Sequence, residues 1–297
     1  MEGHKLSLRN SYLSFINFLE MIKFEHTIFA LPFAYMGMFM AKKGVPSLRE
    51  FVLISIAFAA ARTYAMTLNR IFDLPFDRIN PRTKERPLVT GKVKKRTAYT
   101  GALLSLLVLF SVAYMLGPFV FKVLPIALFF LTFYHVTKRF TYLSHFFLGF
   151  TDGLAPLGAW IAIKNSAFSV SDIPGWLLLF IVTFWIAGFD IMYQCQDVEF
   201  DKKMNLQTIP SRFGIRTGLI VARFCHGIMF LGLLGLLTLF EQKIPFIVAL
   251  AITSYLLIKE HLMVSPEDLS NLNVAFFNMN GYISIVVFLG IMVSILI

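Results

Sequence analysis

The sequence predicts an all-α integral membrane protein with about nine transmembrane helices, and two observations carry that prediction. Hydrophobic residues make up 57% of the 297 and charged residues only 15%, against roughly 25% charged in a soluble domain. With 33 phenylalanines and a mean hydropathy of +0.72, a soluble core has no room for so much apolar surface. The second observation is arrangement. Apolar stretches of about 20 residues, the length a helix needs to cross a hydrocarbon layer of ~30 Å, recur along the chain between short polar segments. No water reaches backbone groups in that layer, so the spans are expected to be helices.

Taken in order, the spans fall near 25–42, 47–70, 97–116, 118–137, 142–163, 174–196, 217–239, 244–262 and 276–296. Only Leu116, Gly117 and Pro118 separate the third from the fourth, a tight-turn signal. Residues before the first span carry Glu2, Lys5, Arg9 and Glu20 around short apolar pieces and show no signal-peptide pattern. The first span is therefore expected to serve as the insertion signal, and residues 1–297 read as a single membrane-embedded domain. Asn69 and Asp190 are 121 residues apart, as are Asp73 and Gln194, an offset consistent with a duplicated four-helix unit.

Lys and Arg number 27 against 17 Asp and Glu, a formal charge of +10. The excess sits mostly in loops between spans, which favours membrane topology over nucleic-acid binding. Segment 70–96 is the densest in Lys and Arg, so the positive-inside bias makes it cytoplasmic. Lys138, Arg139, Lys202, Lys203, Arg212 and Arg216 fall on the same side, while Lys42, Lys43 and Arg49 fall mildly against the rule on the other. The expected topology has a cytoplasmic N-terminus and cytoplasmic acidic loops, in the inner (cytoplasmic) membrane. Cys195 and Cys225 have no metal-ligand spacing and need no disulfide.

Two acidic constellations stand at span ends. Asn69, Asp73 and Asp77 are spaced by four and share one helical face. Carboxylates repeated there repel unless a cation lies between them, and Mg²⁺, which takes oxygen ligands and bridges carboxylates to phosphate, fits. Pro75 between the two aspartates is expected to bend the helix end and turn both toward one ion. Arg70 precedes, and Arg78, Arg82 and Arg86 follow, in a segment that Pro81 and Pro87 make a covering loop. Arginine binds phosphate oxygens bidentately; the alternative is that these are solvated loop charges that set topology. The second constellation, Asp190, Gln194, Asp197 and Asp201, steps by four, three and four along one face. Asp190 lies deepest, where an ionised group is costly and usually marks chemistry, a partner or a pathway. Two such faces at one depth can hold a diphosphate through metal, the arrangement for ionising a leaving group.

Other polar residues join these. Arg62 is one heptad before Asn69 and deeper, a candidate for the carboxylate of an aromatic acid, with an ion pair to Asp152 or Asp190 as the structural alternative. Tyr134 and Lys138 make a four-residue step at the end of the fourth span, able to contact phosphate or to anchor the interface. Asp152 either pairs with an arginine or binds the aromatic substrate. Asn278 and Asn280 read as helix caps in preference to pocket donors. Gly149, Gly153 and Gly158 are expected to permit close helix approach.

Asn69 to Asp77 with Asn80-Pro81-Arg82-Thr83, and Asp190 to Asp201 with Thr208-Ile209-Pro210, together resemble the paired aspartate-rich motifs of intramembrane aromatic prenyltransferases of the 4-hydroxybenzoate polyprenyltransferase type. The resemblance covers nearly the whole chain. It implies nine helices around a central cavity, and Mg²⁺ held at Asn69, Asp73, Asp77, Asp190, Asp197 and Asp201. It also implies a polyprenyl diphosphate donor and an aromatic carboxylic acid acceptor. Tyr134 and Lys138 resemble the family's Tyr-x-x-x-Lys element, and with Asp73, Asp77, Asp190 and Asp197 they form the implied catalytic set. Arg62, Asn69, Arg70, Arg78, Arg82, Arg86, Asp152 and Gln194 form the expected substrate-binding set. Lys23 to Phe33 and the Gln-Asp-Val-Glu-Phe-Asp form of the second motif look like a bacterial subgroup associated with menaquinone formation through the futalosine route. That leaves ubiquinone and menaquinone biosynthesis, and 4-hydroxybenzoate and dihydroxynaphthoate as acceptors, both open. Membrane lipid is the expected surround, with no nucleic acid and no obligate protein partner. A haem or chlorophyll prenyltransferase is the alternative within the enzyme class, and a transporter the alternative outside it.

Overall fold

A computed structural model describes residues 2–297, with side chains described for all but 2–11, 26, 28, 29 and 276. The described residues form twelve α-helices in the order α1 (Glu2–Met21), α2 (Glu25–Lys42), α3 (Leu48–Asp77), α4 (Lys95–Leu116), α5 (Pro118–Thr137), α6 (Ser144–Lys164), α7 (Ile173–Gln194), α8 (Val198–Lys203), α9 (Ile209–Phe213), α10 (Ile215–Leu236), α11 (Ile244–Leu262) and α12 (Asn280–Leu296). A helix stands at each of the nine predicted positions. Eight segments among the described residues, those of α3 to α7 and α10 to α12, are long and apolar enough to cross a membrane. The protein is a multi-pass membrane protein. Helix α1 was not foreseen, because its apolar residues come in pieces too short to read as a span.

Local chemistry sets the helix ends. Ser47 opens α3 with a capping box: its hydroxyl accepts from the Glu50 amide and the Glu50 carboxylate accepts from the Ser47 amide. Gly117, at φ 143°, makes the turn between α4 and α5 in a conformation closed to residues with a side chain, and Pro118 starts α5 with φ already set. Pro174 and Pro245 sit in the first turns of α7 and α11, where a missing N–H costs nothing.

Packing then draws the helices around a cavity. A Cβ at Gly149 would overlap the Thr183 carbonyl oxygen, and one at Gly153 would come within 2.7 Å of the Leu179 carbonyl oxygen. These two glycines let α6 lie directly against α7. Gly158 does not serve the same purpose, contrary to expectation, since a Cβ there would meet nothing within 4 Å. Behind the cavity a buried polar chain joins α7, α10, α11 and α12. Trp185 Nε1 donates to Asn280 Oδ1 at 2.8 Å, Asn280 Nδ2 donates to Glu260 Oε1 at 2.7 Å, and His226 bonds His261 at 2.9 Å. Asn280 is therefore a hub between helices and makes no side-chain cap at the start of α12.

Gly149→Ala should lower the Tm in detergent, since overpacking at a contact without slack costs about 1–3 kcal/mol. Gly158→Ala should leave the Tm unchanged or slightly raised, and equal losses in the two would contradict this account of α6.

Candidate functional site

One cavity of about 1150 Å³ lies inside the helix bundle, with its polar end at the acidic motifs. The ends of α3 and α7 face each other across it, joined by the segments that follow each of them. The structure brings Arg62, Asn69, Arg70, Asp73, Asp77, Arg82, Arg86, Tyr134, Lys138, Asp152, Asp190, Gln194, Asp197 and Asp201 to its wall. Arg78 is left out: it is exposed and outside the lining. Turns at residues 78–94 replace helix there, so the four-residue spacing of Arg78, Arg82 and Arg86 does not put them on one face.

Each carboxylate at this end has a partner of its own. Lys138 Nζ donates to Asp73 Oδ2 at 3.0 Å, with Asn69 Nδ2 on the same oxygen at 3.2 Å. Arg86 Nη1 reaches both oxygens of Asp77 at 2.7 Å. Arg82 grips Asp197 in a two-point fork, Nε to Oδ1 at 3.0 Å and Nη2 to Oδ2 at 2.5 Å, while its guanidinium lies 5.4 Å from the centre of the Tyr193 ring. Burial works against the Arg82 charge, but the hydrogen bonds and charge of Asp197 outweigh it and hold the guanidinium above its ordinary pKa. Asn80 Nδ2 adds a longer contact to Asp197 Oδ1 at 3.4 Å. Gln194 Nε2 donates to Asp201 Oδ2 at 2.8 Å and lies 3.5 Å from Asp197 Oδ2, and Thr208 Oγ1 completes Asp201 at 3.1 Å. Arg70, although in the lining, is tied to the protein: Nε to the Met21 carbonyl and Nη1 to Asn69 Oδ1, both 3.0 Å.

Asp190 takes a partner that the sequence reading missed. His145 Nδ1 is 2.6 Å from Asp190 Oδ2, and the Ile209 amide donates to His145 Nε2 at 3.4 Å. With the Ile209 amide donating to Nε2, the hydrogen of the short contact sits on Nδ1, which donates to Asp190. Thr208 and Ile209, neighbours in the chain, thus fasten Asp201 directly and Asp190 through His145. His145 is the only charged or titratable neighbour one heptad before Asp152 on α6, the spacing that also links Arg62 to Asn69, and that was the available signal.

Deeper in the cavity Arg62 stands apart. Neither expected ion pair forms: among the described residues no carboxylate lies within 4.0 Å of it, and its Nε is buried without a hydrogen-bond partner. Asp152 and Tyr134 lie near enough to feel its charge. Asp73 Oδ1 is likewise buried and unpartnered.

No three of His, Cys, Asp or Glu among the described residues converge as a ready metal cage. The donor set still fits a hard divalent cation. Mg²⁺ uses one or two protein carboxylates and takes its remaining oxygens from phosphate and water, and Asp73, in the cavity lining, has one carboxylate oxygen without a protein partner.

Comparison with known proteins gives the family. The model of the UbiA prenyltransferase family matches residues 30–282. The chain belongs to that family. Among UbiA relatives it is 26% identical over 260 residues to the 4-hydroxybenzoate octaprenyltransferase of Vesicomyosocius okutanii, covering 87% of this chain and 93% of that one. The enzyme of the same name from Neisseria gonorrhoeae is 30% identical over 194 residues, covering 65% and 64%. A UbiA homolog from Aeropyrum pernix K1, solved without ligand, superposes with a TM-score of 0.83 at 30% identity, over 92% of this chain and 98% of that one. A UbiA homolog from Archaeoglobus fulgidus bound to DMAPP and Mg²⁺ has the same fold at TM-score 0.64 and 19% identity, covering 91% and 99%.

His145→Leu should destabilise the protein by about 1–3 kcal/mol, because it leaves the Ile209 amide buried without an acceptor and strips Asp190 of its donor. His145→Asn, which keeps a donor near Nδ1, should recover part of that loss of Tm.

Proposed function

We propose that this UbiA-family prenyltransferase transfers a polyprenyl group from polyprenyl diphosphate to the ring of an aromatic carboxylic acid. The observation that carries the reading is one cavity with two opposed acidic faces, a basic loop beside them, and an unpaired arginine in its depth. The names of the relatives favour 4-hydroxybenzoate as acceptor, with dihydroxynaphthoate as the second candidate, because both carry the carboxylate that Arg62 would bind. The corresponding pathways are ubiquinone and menaquinone biosynthesis. A Lys- and Arg-rich motif end supports a cytoplasmic site in the inner membrane.

At rest Lys138, Arg86 and Arg82 neutralise Asp73, Asp77 and Asp197. Diphosphate arriving there would draw the three cations to its oxygens and leave the aspartates without their resting partners. Asn69, Asp73, Asp77, Asp190, Asp197 and Asp201 would hold Mg²⁺, which when bound draws charge from the leaving diphosphate. His145 keeps Asp190 oriented and the Gln194 amide bridges Asp197 and Asp201. Arg62 fixes the acceptor by its carboxylate so that the ring faces the allylic carbon. The allylic carbon–oxygen bond breaks with its electron pair leaving on diphosphate, and the ring supplies the pair for the new carbon–carbon bond. The displaced ring proton passes to a diphosphate oxygen or a cavity carboxylate. Apolar walls exclude the water that would otherwise capture the allylic cation.

Purified protein given Mg²⁺, a polyprenyl diphosphate and each aromatic acid should yield a prenylated acid by mass, lost on chelation and restored by Mg²⁺. Turnover that survives chelation would remove the metal from the scheme. Asp73→Asn and Asp190→Asn should each lower kcat by about 100-fold or more at normal yield and Tm. Arg62→Gln should raise the acceptor KM by about ten- to a hundredfold, the worth of a charged hydrogen bond. An unchanged KM with reduced protein yield would make Arg62 structural.

A further inference from the structure

The cavity does not end at Arg62. It continues toward the opposite end of the bundle as an apolar arm walled by α3, α4, α5 and α6. Ile54 on α3, Leu116 at the end of α4, Val120 near the start of α5 and Ala162 near the end of α6 all line it. From Asp73 to Ile54 is nineteen residues of helix, about 29 Å, close to the ~30 Å of the hydrocarbon layer. Beyond Arg62 and Asp152 none of the described lining residues is charged.

On α6 the wall facing this arm is Ala155, Gly158, Ala159 and Ala162, on the face that carries Asp152. Gly158 differs from the other α6 glycines. Gly149 and Gly153 are held without side chains by the α7 backbone, whereas Gly158 lines the cavity with open space where its Cβ would be. A glycine inside a helix costs about 1 kcal/mol relative to alanine, and here no close packing offsets that cost. What the missing side chain provides is room in the arm.

We infer that Gly158 is a specificity-determining residue for the donor, keeping the arm wide enough for a long polyprenyl tail and so favouring long-chain prenyl diphosphates over short ones. This rests on the proposed prenyl transfer. Its depth explains why length is what it reads. Arg62 lies about 17 Å along α3 from Asp73, and Gly158 about 9 Å along α6 beyond Asp152. A geranyl tail leaving the diphosphate site ends before that depth, and an octaprenyl tail has to pass it.

The test compares geranyl and octaprenyl diphosphate, with Mg²⁺ and a fixed aromatic acid, in wild type, Gly158→Ala and Gly158→Leu. The ratio of kcat/KM for the long over the short donor is independent of how much protein is active. It should fall about tenfold or more in Gly158→Leu, with Gly158→Ala between, while geranyl transfer stays near wild type. Donor-induced Tm shifts, which need no acceptor, should show the same loss for octaprenyl diphosphate alone. Should the leucine variant fail to fold, Ala162→Leu, on the same face and deeper, carries the same ratio. An unchanged ratio, whether both donors suffer equally or neither does, overturns the inference and leaves prenyl transfer standing. Wild type that transfers to no aromatic acid, yet shows the length-dependent Tm shift and its loss in the variant, overturns the function and leaves the arm assignment standing.

Discussion

Five aspartates gathered at one end of an apolar helix bundle are the constraint around which the rest is arranged. Buried carboxylates at one depth repel, and each isolated one carries a heavy desolvation cost. The structure meets this by giving each its own partner: Lys138 to Asp73, Arg86 to Asp77, Arg82 to Asp197, His145 to Asp190, Gln194 and Thr208 to Asp201. Three of those partners are flexible cations on half-buried positions, so the neutralising contacts can be exchanged for contacts to phosphate. The other three, His145, Gln194 and Thr208, hold carboxylates in place.

The loop 78–94 and the short helices α8 and α9 follow from the same demand. They bring Arg82 and Arg86 back over the end of the cavity from α3, and Thr208 and Ile209 back under it from α7. Without these returns the acidic faces would stand open at the membrane surface. Asn80 and Arg82, both reaching Asp197 more than a hundred positions along the chain, tie the two halves of the site together.

Below the acidic end the requirement reverses, and size replaces charge. Gly149 and Gly153 draw α6 and α7 into backbone contact on one side. On the other, Ala155, Gly158 and Ala162 keep the lumen open. One helix thus closes the bundle with two of its glycines and leaves space with the third. The polar chain from Trp185 through Asn280 to Glu260 secures the opposite wall.

Helix positions were legible in the sequence because the hydrocarbon layer imposes length and apolarity residue by residue, with no need of a partner. The two acidic faces were legible because four-residue spacing is a property of a single helix: Asn69, Asp73 and Asp77 belong to one, and Asp190 and Gln194 to another. Partner choice was not legible. That Arg78 points away while Arg82 and Arg86 turn inward depends on turns after α3. His145 reaches Asp190 only because α6 and α7 lie in backbone contact, and Arg62 makes neither ion pair that its position suggested. Nor could spacing tell a glycine that admits a neighbouring helix from Gly158, which admits none. By itself the sequence determined the helices, the membrane and the residue types of the site, all set within single segments. Only the tertiary structure decided which charges meet and where space remains, because both depend on distances between segments that no local pattern encodes.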